Sequence, residues 1–101
     1  VMRVRMPYRR VDSPVEIIEI PRPAYPPAGQ RRGIEGDVTL QYVVGEDGGV
    51  QRTSIRVIEA NYFDFVEAAA DAIAASRFRP ARAGGCPVRL QVQQRIRFKT
   101  R

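Results

Sequence analysis

Residue types that usually carry chemistry are sparse in this chain. It has no histidine, so the commonest general base is missing. The three serines, Ser13, Ser54 and Ser76, stand in no G-x-S-x-G elbow. Cys86 is the single cysteine and lies between Gly85 and Pro87, without a histidine to activate it. One cysteine also excludes an internal disulfide and a cysteine-rich metal site. Asp64, Glu67 and Asp71 recur at i, i+3 and i+7, the pattern of a solvated helix face rather than of a metal or acid–base site. No catalytic, cofactor-binding or metal-ligating residue is expected, and the chain is read as a non-enzyme.

The remaining chemistry is basic. Net charge is +6, and 16 of the 17 basic residues are arginine, which points to an anionic or carboxylate-bearing partner as well as to a soluble surface. Two G-x-x-G spacings occur. Glu46 and Asp47 in Gly45–Gly48 would repel a phosphate, and Gly33–Gly36 leads into a strand instead of lying between two helices. Arg89, Arg95 and Arg97 line the polar side of the last strand, as a nucleic-acid reader would want. RNA-reading sheets place aromatics on their open face, whereas glutamines interleave here and Tyr42 and Phe98 are expected to point inward. Nucleic-acid binding is therefore kept only as an outside alternative.

The elements that must hold these residues follow from periodicity. The length, 101 residues, allows one domain. No apolar run reaches the roughly 18 residues of a membrane span. Residues 1–20 read as a linker end or N-terminal arm, in which Val15–Ile20, bracketed by Pro14 and Pro21, is an edge strand or a tether. Four prolines in Pro21–Pro27 force an extended stretch. Ala28–Arg32 can form a helical turn closed by Gly33. Val38, Leu40, Tyr42 and Val44 alternate with polar residues, the mark of a half-buried strand. Gly45–Gly49 reverses the chain into a return strand over residues 50–58. Asn61 is the expected N-cap of a helix whose stripe is Phe65, Ala69, Ala72, Ile73 and Ser76, and Pro80 is expected to end it. A glycine loop then leads to a final strand over residues 87–98, with Val88, Leu90, Val92, Ile96 and Phe98 inward and Gln94 breaking the row. The fold class is α+β: a three-stranded antiparallel sheet with two helices on one face and room for an extra N-terminal edge strand.

Taken in order, Tyr25-Pro26, Ile34-Glu35-Gly36, Val38, Val44, Asp47-Gly48, the Phe65/Ala69/Ile73 helix, Arg77–Ala81, Gly85–Val88 and Ile96-x-Phe98 resemble the TonB C-terminal domain family. The resemblance runs over about residues 21–98, and residues 21–101 are assigned to such a domain. Gly29 stands where the family usually has alanine, Ser76 where it often has a large residue, and Arg22 where its best-known members have glutamine.

The resemblance implies a periplasmic tip of an energy transducer, tethered to the inner membrane by a segment upstream of this chain that engages ExbB and ExbD. Such a tip grips the TonB box of outer-membrane TonB-dependent transporters by β-strand addition to the last strand, coupling the proton motive force to import across the cell envelope. The residues this implies for partner binding are Arg22, Tyr25 and Pro26 at the start of the domain. Along the strand they are Val88, Arg89, Leu90, Gln91, Val92, Gln93, Gln94, Arg95, Ile96 and Arg97. A homodimer is a further implied state. A TolA-like tip or an interaction module of a signalling protein is the alternative.

Overall fold

The alternation of Val38, Leu40, Tyr42 and Val44 produces a strand whose four inward side chains are completely buried. The computed structural model describes residues 2–5 and 11–99. In chain order its elements are β1 (Met2–Arg5), β2 (Glu16–Glu19), α1 (Pro27–Arg31), β3 (Gly36–Val44), a 3₁₀ turn (Arg52–Ser54) and β4 (Arg56–Ala60). They continue with α2 (Asp64–Ala74), β5 (Arg77–Arg79), β6 (Ala81–Ala83), β7 (Cys86–Val88) and β8 (Leu90–Phe98). The main sheet has the order β1-β8-β3-β4, antiparallel throughout. Two small ribbons, β2–β5 and β6–β7, flank it. The expected three-stranded sheet with two helices is thus β8-β3-β4, extended by a fourth strand.

The core lies between one sheet face and α2. Phe65, Ala69, Ala72 and Ile73 of α2 are buried over the inward residues of β3 and β8. Burying a side chain of Phe or Ile size contributes about 1.5–3 kcal/mol. The small alanines let the helix approach the strands closely. Ser76 closes the stripe: it is buried, and its hydroxyl donates to the Ala72 carbonyl at 2.7 Å, so no polar atom is stranded. The opposite sheet face, with Thr39 and Gln41 on β3, carries the polar residues of the alternation.

Several boundaries differ from the periodicity reading. The return strand begins only at Arg56, because Arg52–Ser54 coil into a 3₁₀ turn in which the Ser54 hydroxyl donates to the Gln51 carbonyl. A bulge between Thr39 and Leu40 leaves Ile58 without an opposite residue. Asn61 does not cap α2; its side-chain oxygen accepts from the Asp37 amide at 2.9 Å and ties β4 to β3. Helix α2 stops at Ala74, well before Pro80, because Arg77–Arg79 is drawn into pairing with β2. Val15–Ile20 supplies β2 to that ribbon and does not join the main sheet. The final strand is broken at Arg89. Gly84 and Gly85 both have positive φ (59° and 79°) and close a two-residue hairpin, so Val88 pairs with Ala81. The candidate residues Val88 and Arg89 therefore lie outside β8. Of the arm's basic residues, Arg9 and Arg10 fall outside the described residues.

The Asp47–Gly49 reversal after β3 is fixed from two sides. Asp47 accepts from the Gly49 amide at 2.9 Å. The Gly48 carbonyl accepts from the Phe78 amide at 3.0 Å, docking the turn on β5. Gly48 has φ +85°, and a Cβ there would stand 2.0 Å from the Phe78 carbonyl oxygen. Gly48→Ala must therefore move one backbone against another and strain its own. It is expected to lower unfolding free energy by about 2–3 kcal/mol in urea titrations. A loss below about 0.5 kcal/mol would show that the turn does not dock on β5.

Candidate functional site

Strand β8 is paired with β3 along its whole length, from Gly36↔Phe98 to Val44↔Leu90. Its inward residues Leu90, Val92, Ile96 and Phe98 are buried in the core. Their side chains are thus unavailable to a partner, and only their backbone groups on the far edge can be read. The outward residues Gln91 and Gln93 are half-buried, while Arg95 and Arg97 are exposed.

That far edge is not free along its length. β1 lies antiparallel on it in unbroken register, with Met2 opposite Gln94, Arg3 opposite Gln93, Val4 opposite Val92 and Arg5 opposite Gln91. The expectation of a last strand at the sheet edge is corrected accordingly: β8 is interior over Gln91–Gln94. Among the described residues it is an edge only at Leu90 and over Arg95–Phe98. The other edge of the sheet is β4, whose Val57 and Ile58 are about half exposed.

Charge on the polar face is less one-sided than the arginine stripe suggests. Asp37 stands opposite Arg97 and one step from Arg95. It pairs with both, at 3.1 Å to Arg95 and 3.3 Å to Arg97. Two cations sharing one carboxylate leave an excess of one positive charge at this end of β8. Exposed pairs of this kind contribute little stability, but they fix where the guanidinium groups stand. Arg89 lies apart, lining a surface groove with Glu46 and Asp47 at the opposite end of the strand.

Gln94 breaks the inward row for a definite reason. The Tyr42 hydroxyl donates to its side-chain oxygen at 2.7 Å. Burial pushes the Tyr42 phenol well above its ordinary 10.0.

Tyr25 and Pro26 both make contacts within the fold. Tyr25 packs edge-on against Phe65 (5.4 Å between centroids) and Phe98 (5.8 Å), which stack on each other at 4.3 Å. Its hydroxyl donates to the Ile34 carbonyl. The Pro26 carbonyl accepts from Gln30 at 2.9 Å and starts α1. Gly36 lies under the same cluster, where a Cβ would come within 3.2 Å of Phe65. Tyr25 thus fastens the incoming chain to the Phe98 end of β8. Arg22 is exposed.

Sequence reasoning left room for an N-terminal edge strand within residues 1–20 but did not place it at Met2–Arg5, and it missed the role of Asp37. Met2 and Val4 alternating with Arg3 and Arg5 was a legible period-two signal, though too short to name its partner strand. Asp37 acquires its role only from the β3–β8 register.

The sequence profile of the family described as Gram-negative bacterial TonB protein C-terminal matches residues 21–100. The solution NMR structure of the Pseudomonas aeruginosa TonB CTD superposes with a TM-score of 0.71 at 32% identity, covering 87% of this chain and 88% of that one. No curated protein matches. The chain belongs to the TonB C-terminal domain family. That family consists of non-catalytic transducer and interaction domains, and its C-terminal domain is periplasmic. Among the described residues, no helix is long and apolar enough to cross a membrane.

The Tyr42 environment makes a pH prediction. A phenol whose folded pKa is raised stabilises the fold fully below its unfolded value of 10.0, and that contribution is lost as pH climbs from there toward the folded pKa. Tyr42→Phe is expected to cost about 1 kcal/mol near neutral pH through the lost hydrogen bond. It should then lose less stability than the parent between about pH 10 and about pH 12 in urea unfolding. Equal alkaline losses in the two proteins would contradict the assignment.

Proposed function

We propose that this domain is the receptor-gripping tip of a TonB-type energy transducer, taking the TonB box of outer-membrane transporters as an added strand on β8. The observation that carries this reading is that the β8 edge already accepts a strand: β1 occupies Gln91–Gln94, and among the described residues no strand pairs with the adjoining Arg95–Phe98 backbone on that side. Backbone pairing is tolerant of sequence, as one transducer serving several transporters requires. An upstream inner-membrane anchor engaging ExbB and ExbD would supply the pull, and Tyr25 would pass it to the Phe98 end of the sheet. A second copy pairing through the same edge would exclude the partner, so a homodimer would be a resting form.

Affinity should be modest. Each added hydrogen bond contributes about 1 kcal/mol net, while ordering the peptide costs roughly 1–2 kcal/mol per residue. A dissociation constant of ~10 μM to mM is expected for an isolated peptide. Amide shifts of the isotope-labelled domain, followed during titration with synthetic peptides from transporter N-termini, should concentrate along Gln91–Phe98 and persist at high salt. N-methylating alternate peptide amides in the phase that faces β8 should abolish the shifts, and methylating the other phase should not. Shifts confined to arginines that vanish with salt, or indifference to methylation, would remove strand addition as the mode of binding.

A further inference from the structure

The arm has a course that serves more than linkage. Asp12 and Ser13 are held on β6: the Asp12 amide donates to the Arg82 carbonyl at 2.7 Å, and the Arg82 amide donates to the Ser13 carbonyl at 3.0 Å. The Asp12 carboxylate also accepts from the Gly84 amide. These contacts fix the arm beside the hairpin that precedes β8, a few residues from β1. We propose that residues 2–5 are an internal occupant of the β8 edge, which an extended, acid-bearing partner segment displaces by starting on the open stretch Arg95–Phe98. This inference rests on the strand-addition reading and adds a regulatory step to it.

Geometry and magnitude both favour displacement over permanent closure. β1 is four residues long and pairs on one side of β8. A strand this short opens at low free-energy cost. Its short tether gives it an effective concentration on the order of mM. Set against the ~10 μM to mM dissociation constant expected for an isolated strand of this kind, that concentration keeps β1 seated most of the time and still displaceable. Charge tips the balance. β1 has arginine at two of its four positions, opposite Gln93 and Gln91, and the stretch of β8 next to it holds surplus positive charge around Asp37. An acidic segment matches that field and the arm does not. The open residues Arg95–Phe98 let a partner pair before β1 has left, so the exchange can proceed one bond at a time.

The test uses the 101-residue chain carrying Arg3→Pro and Val4→Pro together. Adjacent amides point to opposite sides of a strand, so the pair removes whichever one faces β8. If β1 holds the edge about nine-tenths of the time, the variant should bind the same transporter peptides up to about tenfold more tightly. Without peptide, amide exchange should accelerate at Gln91–Gln94 and stay unchanged in Val38–Val44. A chain lacking residues 1–5 should give the same result and serves if the prolines perturb folding. Equal affinity of parent and variant would overturn the inference while leaving strand addition standing. Weaker binding by the variant would overturn it too, making β1 part of the site. Failure of every peptide to bind either form would remove both readings.

Discussion

The pairing of β3 with β8 is the constraint on which everything else depends. Its register runs through nine residues of each strand without a slip. Because side chains alternate, that single register decides which residues enter the core and which reach water. It sets Val38, Leu40, Tyr42 and Val44 beside Ile96, Gln94, Val92 and Leu90 under α2. It also brings Asp37 to Arg97 and Arg95, and the Tyr42 hydroxyl to Gln94. A one-residue shift would bury arginines and expose the valines. The aromatic cluster of Tyr25, Phe65 and Phe98 then locks the end of this pair and fixes where the chain enters the domain.

The same constraint defines what β8 can offer a partner. One edge is committed to β3, and the inward side chains are committed to α2. What remains is the far backbone edge, and at one end two arginines positioned by Asp37. A surface of that kind gives affinity through main-chain bonds and discriminates weakly by charge. Such an edge is also a hazard, since it invites pairing with any extended chain. The structure covers half of it with β1. The open edge of β4 is managed differently, by the bulge at Ile58 that disrupts its ladder.

Local chemistry was legible in the residues and long-range pairing was not. The β3 alternation, the turn at Asp47–Gly48, the α2 stripe through Ile73 and the helical turn closed by Gly33 all read correctly, because each depends on neighbours within a few positions. The end of α2 did not: Arg77–Arg79 leaves the helix to pair with β2, some sixty residues earlier in the chain. The break at Arg89 was hidden because Gly84-Gly85 reads equally as a loop and as a tight hairpin. Gln94 was visible as an exception, but its partner Tyr42 is set by register. Of the candidate residues on β8, Leu90, Val92 and Ile96 have their side chains in the core, Val88 and Arg89 lie outside the strand, and Tyr25 and Pro26 make contacts within the fold. That β8 is half covered depends on Met2–Arg5 crossing to a strand near the other end of the chain, which no short-range pattern encodes.

The central claim is that a partner strand adds to β8. It is tested most directly by isotope-edited NOE measurements between a bound transporter peptide and the domain backbone. The account predicts cross-strand contacts from peptide backbone protons to Arg95–Phe98, continuing to Gln91–Gln94 as β1 is released. Contacts running instead along Arg56–Ala60 would place the partner on β4 and contradict it.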